Sequence, residues 1–398
     1  MMSRSLVLTV LLALVGMLRL SGAQSIADAP PRIDFEPWKV VSRDDSTTES
    51  LATFPSAYVT NYPENNQVEL RIIAPNLGDE PMPVVLLLHY WGARDLKVER
   101  SLAAELCKKK IAAAIITLPY HLSRTPPGYK SGELAVQPDP RALIANSIQS
   151  VWDVRRALDC LQSDGRFNRY AIAGTSLGAI VAELSYAVEP RFRDAAFILG
   201  GADLAHLIWN SSRIVRERDG LRRKGYTEER LRDELKTIEP STFLKQRGQA
   251  KALVISARYD TVIPAACTAA LQEALPEAKH LTVDTGHYGG LFVQRRILRE
   301  VANYFSSEFA NTPYTPPSRI YAPTLRIGAT ATSGLGFNLA AGIDLLKFEA
   351  SGQTFSSLLI TTRGPQLFLG RKIDSRISFG VIGSRTRVGV GFFWSTVL

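Results

Sequence analysis

The chain has 398 residues, of which 45% are hydrophobic and 21% charged, and its formal net charge is +9. These proportions exclude collagen-like and disordered classes, and the length points to one large domain with an appendage. The basic excess comes without a helix-turn-helix, zinc-finger or aromatic RNA-binding pattern, so nucleic acid is not an expected partner.

Residues 1–23 read as an export segment. Arg4 opens it, residues 6–18 are apolar, and Ser21, Gly22 and Ala23 offer small residues for cleavage before Gln24. Arg19 cuts the apolar run short of a membrane span, and no cysteine follows for a lipid anchor. The expected location is periplasmic or extracellular. Residues 24–50 are polar with several prolines, an irregular leader. Segments 53–60 and 67–74, around NYPENN, read as an antiparallel hairpin. Buried strands are expected at 83–88, 111–117, 169–174, 195–200, 251–257 and 280–284. Helical patterns at 96–109, 141–161 and 264–275 alternate with them. This alternation predicts an α/β fold over 51–311, with a mostly parallel eight-stranded sheet and helices on both faces. A ligand site in such a sheet lies off the carboxyl ends of the strands.

Three of those strand ends carry chemistry. In AIAGTSLGAIVAE, residues 171–183, an apolar strand runs into a helix whose apolar positions are Ile180, Val181, Leu184 and Val188. Ser176 sits on the turn between them, where Gly174 and Gly178 let the chain fold tightly and the first helical amides favour negative charge. A serine that merely caps a helix is the plainer alternative. The run KALVISARYDTVIP, residues 251–264, contains Asp260 just past its strand. HLTVDTGHYGG, residues 280–290, places His287 in a glycine-rich loop, and PVVLLLHYWGA, residues 83–93, ends in His89, Tyr90, Trp91 and Gly92.

Ser, Asp and His in that order, each past a strand end, resemble the α/β-hydrolase superfamily over roughly residues 50–310. The neighbourhood is that of dienelactone-hydrolase, acetyl-xylan-esterase and prolyl-oligopeptidase catalytic domains. The resemblance implies Ser176 as nucleophile, His287 as general base and acid, and Asp260 as the orienting carboxylate. It implies an oxyanion hole made by the amides of Leu177 and Trp91. Tyr90 departs from the common H-G-x-G pattern, because it stands where a glycine is usual, and with His121 it is a candidate pocket residue. His89 reads as a structural hydrogen-bonder at a strand end, and His206 and His280 as surface or partly buried positions. Asp203 and Asp284 compete with Asp260 for the acid.

Two insertions follow strands: the proline-rich stretch 119–140, and the charge-dense helical stretch 204–250, where a lid is common in this superfamily. Acids and bases interleave in the second, as on a solvated helix. The three cysteines make no disulfide framework and have no metal-ligand spacing, so neither metal nor cofactor is expected. The tail, 312–398, carries nine bases against three acids from Thr315 onward. Alternation at Ile377, Phe379 and Val381, and at Val388, Val390, Phe392 and Trp394, predicts a small antiparallel β-module of about six strands. Its alternating glycines and aromatics are similar to outer-membrane hairpins, but so few strands are not expected to close a membrane barrel alone. An independent β-module is the expectation, with cell-envelope association through it as the alternative.

The functional expectation is an exported serine hydrolase that cleaves a carboxylic ester, on a small molecule or borne by a polymer, through an acyl-enzyme. A prolyl-oligopeptidase-like peptidase and a non-catalytic envelope-associated binding protein are the alternatives.

Overall fold

The computed structural model describes residues 24–78, 80–248, 250–348, 353–374 and 376–397. The expected export segment, 1–23, lies outside them. Among the described residues one sheet comprises ten strands: β1 (Lys39–Arg43), β2 (Thr47–Pro55), β3 (Gln67–Pro75), β4 (Met82–Leu88), β5 (Ala112–Ile116), β6 (Phe167–Thr175), β7 (Phe192–Ile198), β8 (Lys251–Ala257), β9 (Lys279–Asp284) and β10 (Arg319–Tyr321). Their spatial order is β1-β2-β3-β5-β4-β6-β7-β8-β9-β10. Pairing is antiparallel from β1 to β5 and parallel from there on.

The central strands are continuous apolar runs because both their faces are covered. Val84, Leu86 and Leu88 of β4 face one core, and Val85 and Leu87 face the other. The first core is shared with helices α2 (Pro140–Asp164), α3 (Leu177–Val188) and α8 (Ala265–Ala274). The second takes α1 (Lys97–Cys107) and α9 (Gln294–Ala310). The stretch between β7 and β8 forms α4 (Leu204–Asn210), α5 (Val215–Arg223), α6 (Glu228–Leu235) and α7 (Pro240–Leu244). Their apolar sides, including Leu207, Ile208, Leu231 and Leu235, pack with Ile148, Trp152 and Leu184 into a third cluster above the sheet.

Ten strands replace the expected eight. β1 is exposed at every residue, so no burial alternation marks it, and β10 has three residues with only Ile320 buried. The leader is less irregular than expected. Ile26 is fully buried, and the Trp152 indole N–H donates to the carbonyl of Ser25 at 3.1 Å. The domain boundary also moves: β10 pairs in parallel with β9, so residues 319–321 belong to the sheet and not to the tail.

The tail closes into a separate barrel of six antiparallel strands: β11 (Leu325–Thr332), β12 (Gly336–Lys347), β13 (Thr354–Thr361), β14 (Gly364–Lys372), β15 (Ile377–Gly383) and β16 (Val388–Val397), with β16 returning to β11. So narrow a barrel brings inward positions close together. A Cβ on Gly380 would collide with the backbone of Leu369 and Gly370, and one on Gly391 with the carbonyl of Ala331. Glycine there is a packing requirement, and it explains the glycine–aromatic alternation. One end of the barrel rests on the sheet domain. Lys347 donates to the carbonyl of Asp284 (2.8 Å), Thr261 donates to the carbonyl of Val397 (3.3 Å), and Tyr321 donates to the carbonyl of Leu345 (2.8 Å).

A chain ending after Thr324 should remain soluble and folded. One ending after Thr312 should melt several degrees lower, because it loses the fully buried Ile320 and Ala322. The isoleucine alone is worth about 2–3 kcal/mol of burial. Equal thermal midpoints would contradict the assignment of β10 to the sheet.

Candidate active site

The turn after β6 holds a non-glycine residue in a positive-φ conformation at the carboxyl edge of the sheet. Ser176 has φ 55° and ψ −116°, and α3 begins at the next residue. The neighbours permit this because they lack side chains. A Cβ on Gly174 would run into the backbone of Gly178, and one on Gly178 into the carbonyls of Leu88 and His89. The turn therefore presses α3 against the end of β4 and leaves the serine hydroxyl at the strand tips.

Asp260 and His287 each lie three residues beyond a strand, β8 and β9 respectively. The two loops are tied together: Arg258 N–H donates to the carbonyl of Val283 and Tyr259 N–H to that of Thr285, both at 2.9 Å. Asp260 Oδ1 accepts the N–H groups of Val262 and Ile263 at 2.8 Å each, which fixes the carboxylate plane. Its Oδ2 lies 2.7 Å from His287 Nδ1, and His287 Nε2 lies 3.1 Å from Ser176 Oγ. The structure thus brings together Ser176, His287 and Asp260, and leaves the competing acids elsewhere. Asp203 caps α4 by accepting the N–H of His206 and pairs with Arg232. Asp284 faces Arg258 (3.5 Å) and Lys347 (3.9 Å) at the barrel junction.

The loop after β4, which carries Tyr90, Trp91 and Gly92, is held by two fully buried histidines. His89 donates from Nδ1 to the carbonyl of Tyr90 (3.0 Å) and accepts the N–H of Leu118 at Nε2 (3.1 Å). His121 donates from Nδ1 to the carbonyl of Pro119 (2.8 Å) and accepts the N–H of Gly92 at Nε2 (3.0 Å). The rings meet edge to face at 4.8 Å. Burial lowers His89 to about 4 and His121 to about 3, so both are neutral, as an Nε2 that accepts an amide proton requires. Sequence reasoning read His89 as structural but missed that His121 clamps the same loop. The sequence shows His89 directly after β4 and His121 five residues after β5, and only the topology makes those strands neighbours.

Trp91 is pinned by its indole N–H, which donates to the carbonyl of Gly132 at 2.7 Å, and by the Arg213 guanidinium 4.9 Å over its ring. It separates two cavities that meet at Ser176. One, about 130 Å³, is apolar and lies under the helical insertion, lined by Leu143, Ile180, Leu207, Ile208 and Leu235. The other, about 380 Å³, is lined by Tyr90, His287, Tyr288, Leu291 and Leu298. The two expected pocket residues fall on opposite sides: Tyr90 borders the larger cavity, and His121 backs the smaller one with both ring nitrogens engaged. Among the described residues, no group of three His, Cys, Asp or Glu side chains could hold a metal ion, and Cys107, Cys160 and Cys267 are free thiols.

Comparison with known proteins agrees with an α/β-hydrolase fold. A family model described as alpha/beta hydrolase domain containing 18 matches residues 21–200. An acetyl xylan esterase from Paenibacillus sp. R4 superposes with a TM-score of 0.53 at 19% identity, covering 67% of this chain and 88% of that one. A cold-adapted esterase from an Arctic intertidal metagenomic library, solved with bound PEG, gives a TM-score of 0.49 at 15% identity, covering 68% and 99%. At these identities the likeness is one of fold. No curated protein matches the sequence.

The two neutral histidines carry a pH signature. An unfolded histidine protonates near 6.5, whereas these stay neutral down to about 4 and 3. The unfolded chain therefore binds more protons in that window, and the stability linked to these groups falls as pH drops through it. Glu99, pushed up to about 7 by burial, acts with the opposite sign, so the test is a difference between proteins. The stability advantage of wild type over His121→Gln, from urea unfolding, should shrink from about pH 7 to about pH 4. An advantage independent of pH would mean that His121 takes up its proton as readily in the folded chain as in the unfolded one.

Proposed function

We propose that this chain, which has the α/β-hydrolase fold, is an exported serine esterase acting through an acyl-enzyme. The observation that carries the reading is the continuous chain Asp260 Oδ2–His287 Nδ1 and His287 Nε2–Ser176 Oγ, at 2.7 and 3.1 Å. A serine hydroxyl in contact with an imidazole that is itself oriented by a carboxylate is an activated nucleophile. The export segment at the N-terminus supports action outside the cytoplasm.

In the proposed reaction Ser176 Oγ attacks the ester carbonyl while His287 Nε2 takes its proton. Asp260 holds the ring so that Nε2 faces the serine, and it stabilises the imidazolium that forms. The oxyanion is received by the amide of Leu177, at the N-terminus of α3, and by the amide of Trp91. Gly92 is the neighbouring alternative for the second donor, but its N–H is engaged by His121, which favours Trp91. His287 then passes its proton to the departing alkoxide and activates a water for deacylation.

His287 also orders the two cavities. The leaving alcohol must lie within reach of Nε2, so it occupies the larger cavity, which His287 lines. The acyl group enters the smaller, apolar one. A cavity near 150 Å³ holds a benzene-sized molecule, so the acyl pocket, at about 130 Å³, suits a chain of roughly six carbons.

Ser176→Ala should abolish hydrolysis of nitrophenyl esters while leaving the thermal midpoint near wild type, since removing a half-buried hydroxyl opens no large cavity. Asp260→Asn should lower kcat by roughly ten-thousandfold with little change in KM, whereas Asp203→Asn should leave kcat within a few-fold. An active Ser176→Ala protein removes the proposal.

Across a series of acyl chain lengths, kcat/KM should peak at or below roughly six carbons and then decline. A monotonic rise to long chains would place the acyl group in the larger cavity instead.

A further inference from the structure

The C-terminal barrel is apolar on its outer wall as well as in its lumen. On β12 the outward side chains are Phe337, Leu339, Ala341, Ile343 and Leu345. On β16 they are Val388, Val390, Phe392 and Trp394. The pattern continues on β13 to β15 with Leu358 and Ile360, Leu367 and Leu369, and Phe379 and Val381. Ile360 is 72% exposed and Val388 73%, so these are not grazing contacts. Polar residues also point inward, beside the buried cluster of Phe355, Leu359, Phe368, Ile382 and Phe393. Arg326 forms a two-pronged pair with Asp344 at 2.8 and 3.0 Å inside the barrel, and Ser357 donates to the same carboxylate at 2.6 Å. Asn338, Gln366 and Ser395 are also buried there.

We propose that the outer wall of the β11–β16 barrel is immersed in the hydrocarbon of a lipid bilayer and holds the hydrolase domain at a membrane surface. Soluble monomers rarely leave so large a contiguous apolar surface in water. A protein partner would cover one face, yet here every strand from β11 to β16 presents apolar side chains, Ile327 completing the ring on β11. A solvent that surrounds the barrel accounts for that, and a partner on one side does not. Closure also meets the condition for entering lipid, because each strand pairs on both edges and no backbone edge is left open.

Length and charge agree with this environment. Strands β12 and β16 have 12 and 10 residues, close to the roughly 9–11 needed to cross a bilayer, and the other four have 7–9. The turns at the barrel end away from the hydrolase domain carry Arg363, Arg385 and Arg387 and no acid. That complements anionic lipid headgroups. Phe355, Phe368 and Phe393 fill the lumen, so the barrel is an anchor and not a channel. Among the described residues no helix is long and apolar enough to cross a membrane.

The test uses the full purified chain and vesicles of phosphatidylcholine, alone or with phosphatidylglycerol. The chain should float with both, several-fold more completely with phosphatidylglycerol at low salt. The added gain should vanish in the triple variant Arg363→Gln, Arg385→Gln, Arg387→Gln. Phosphatidylcholine brominated on its acyl chains should quench the emission that wild type has and Trp394→Phe lacks. The double variant Ile360→Glu, Val390→Glu should stay out of the vesicle fraction while hydrolysing a soluble ester at the wild-type rate. A native chain that remains a monomer in detergent-free buffer and ignores both vesicles overturns the proposal. So does a stable dimer that ignores them, or binding only to anionic vesicles without quenching by brominated chains. Loss of ester hydrolysis in Ser176→Ala bears on the esterase reading alone, since it leaves the barrel wall unchanged.

Discussion

The backbone turn at Ser176 is the constraint on which the site depends. A non-glycine residue at φ 55° and ψ −116° is held there only because both its surroundings are over-determined. On one side the β6 strand is paired with β4 and β7 along its length, and on the other the first turn of α3 is pressed onto the end of β4 through Gly178. The strain places the hydroxyl where the β8 and β9 loops converge. Those loops are joined to each other by backbone hydrogen bonds, so Asp260 and His287 move as one unit relative to the serine. The near end of the barrel touches both loops, through Thr261 and through the carbonyl of Asp284. The proposed anchor and the loops of the proposed triad thus share one junction.

Beneath the serine, a second layer of buried polar groups fixes the loop proposed to receive the oxyanion. His89 and His121 each use one nitrogen to donate and the other to accept, an arrangement open only to neutral imidazole. Below them Arg124, fully buried, pairs with Asp153 at 2.8 Å and donates to the carbonyls of Asn65 and Thr117. Every member of this network has a partner, which is the condition under which a buried polar cluster stiffens a structure. The two halves of the molecule solve burial in opposite ways. The sheet domain buries its apolar side chains on both faces, whereas the barrel packs an ion pair beside its inward phenylalanines and carries a second apolar surface on its outer wall.

Much of this was legible in the sequence, for identifiable reasons. Ser176 and Asp260 sit just past apolar runs and His287 just past a short strand, and a parallel sheet collects such strand ends at one edge regardless of details between them. The six tail strands were legible because period-two alternation survives in a short barrel. β1 was hidden because an edge strand open to water carries no burial pattern, and β10 because three residues are too few to show one. The direction of the barrel's alternation was hidden as well. Strand periodicity says that Val390 and Phe392 share a face, but not which face is the lumen. The clamp made by His121 depends on β4 and β5 being spatial neighbours, a fact of topology that local pattern does not contain.

The central claim, that Ser176 is a nucleophile activated by His287, is tested most directly by covalent capture. The full chain is treated with a fluorophosphonate and digested, and the adduct is located by mass spectrometry. The account predicts a single adduct, on the peptide that contains Ser176, formed far more slowly in a His287→Ala protein. An adduct on another serine, or one that forms equally fast without His287, would contradict it.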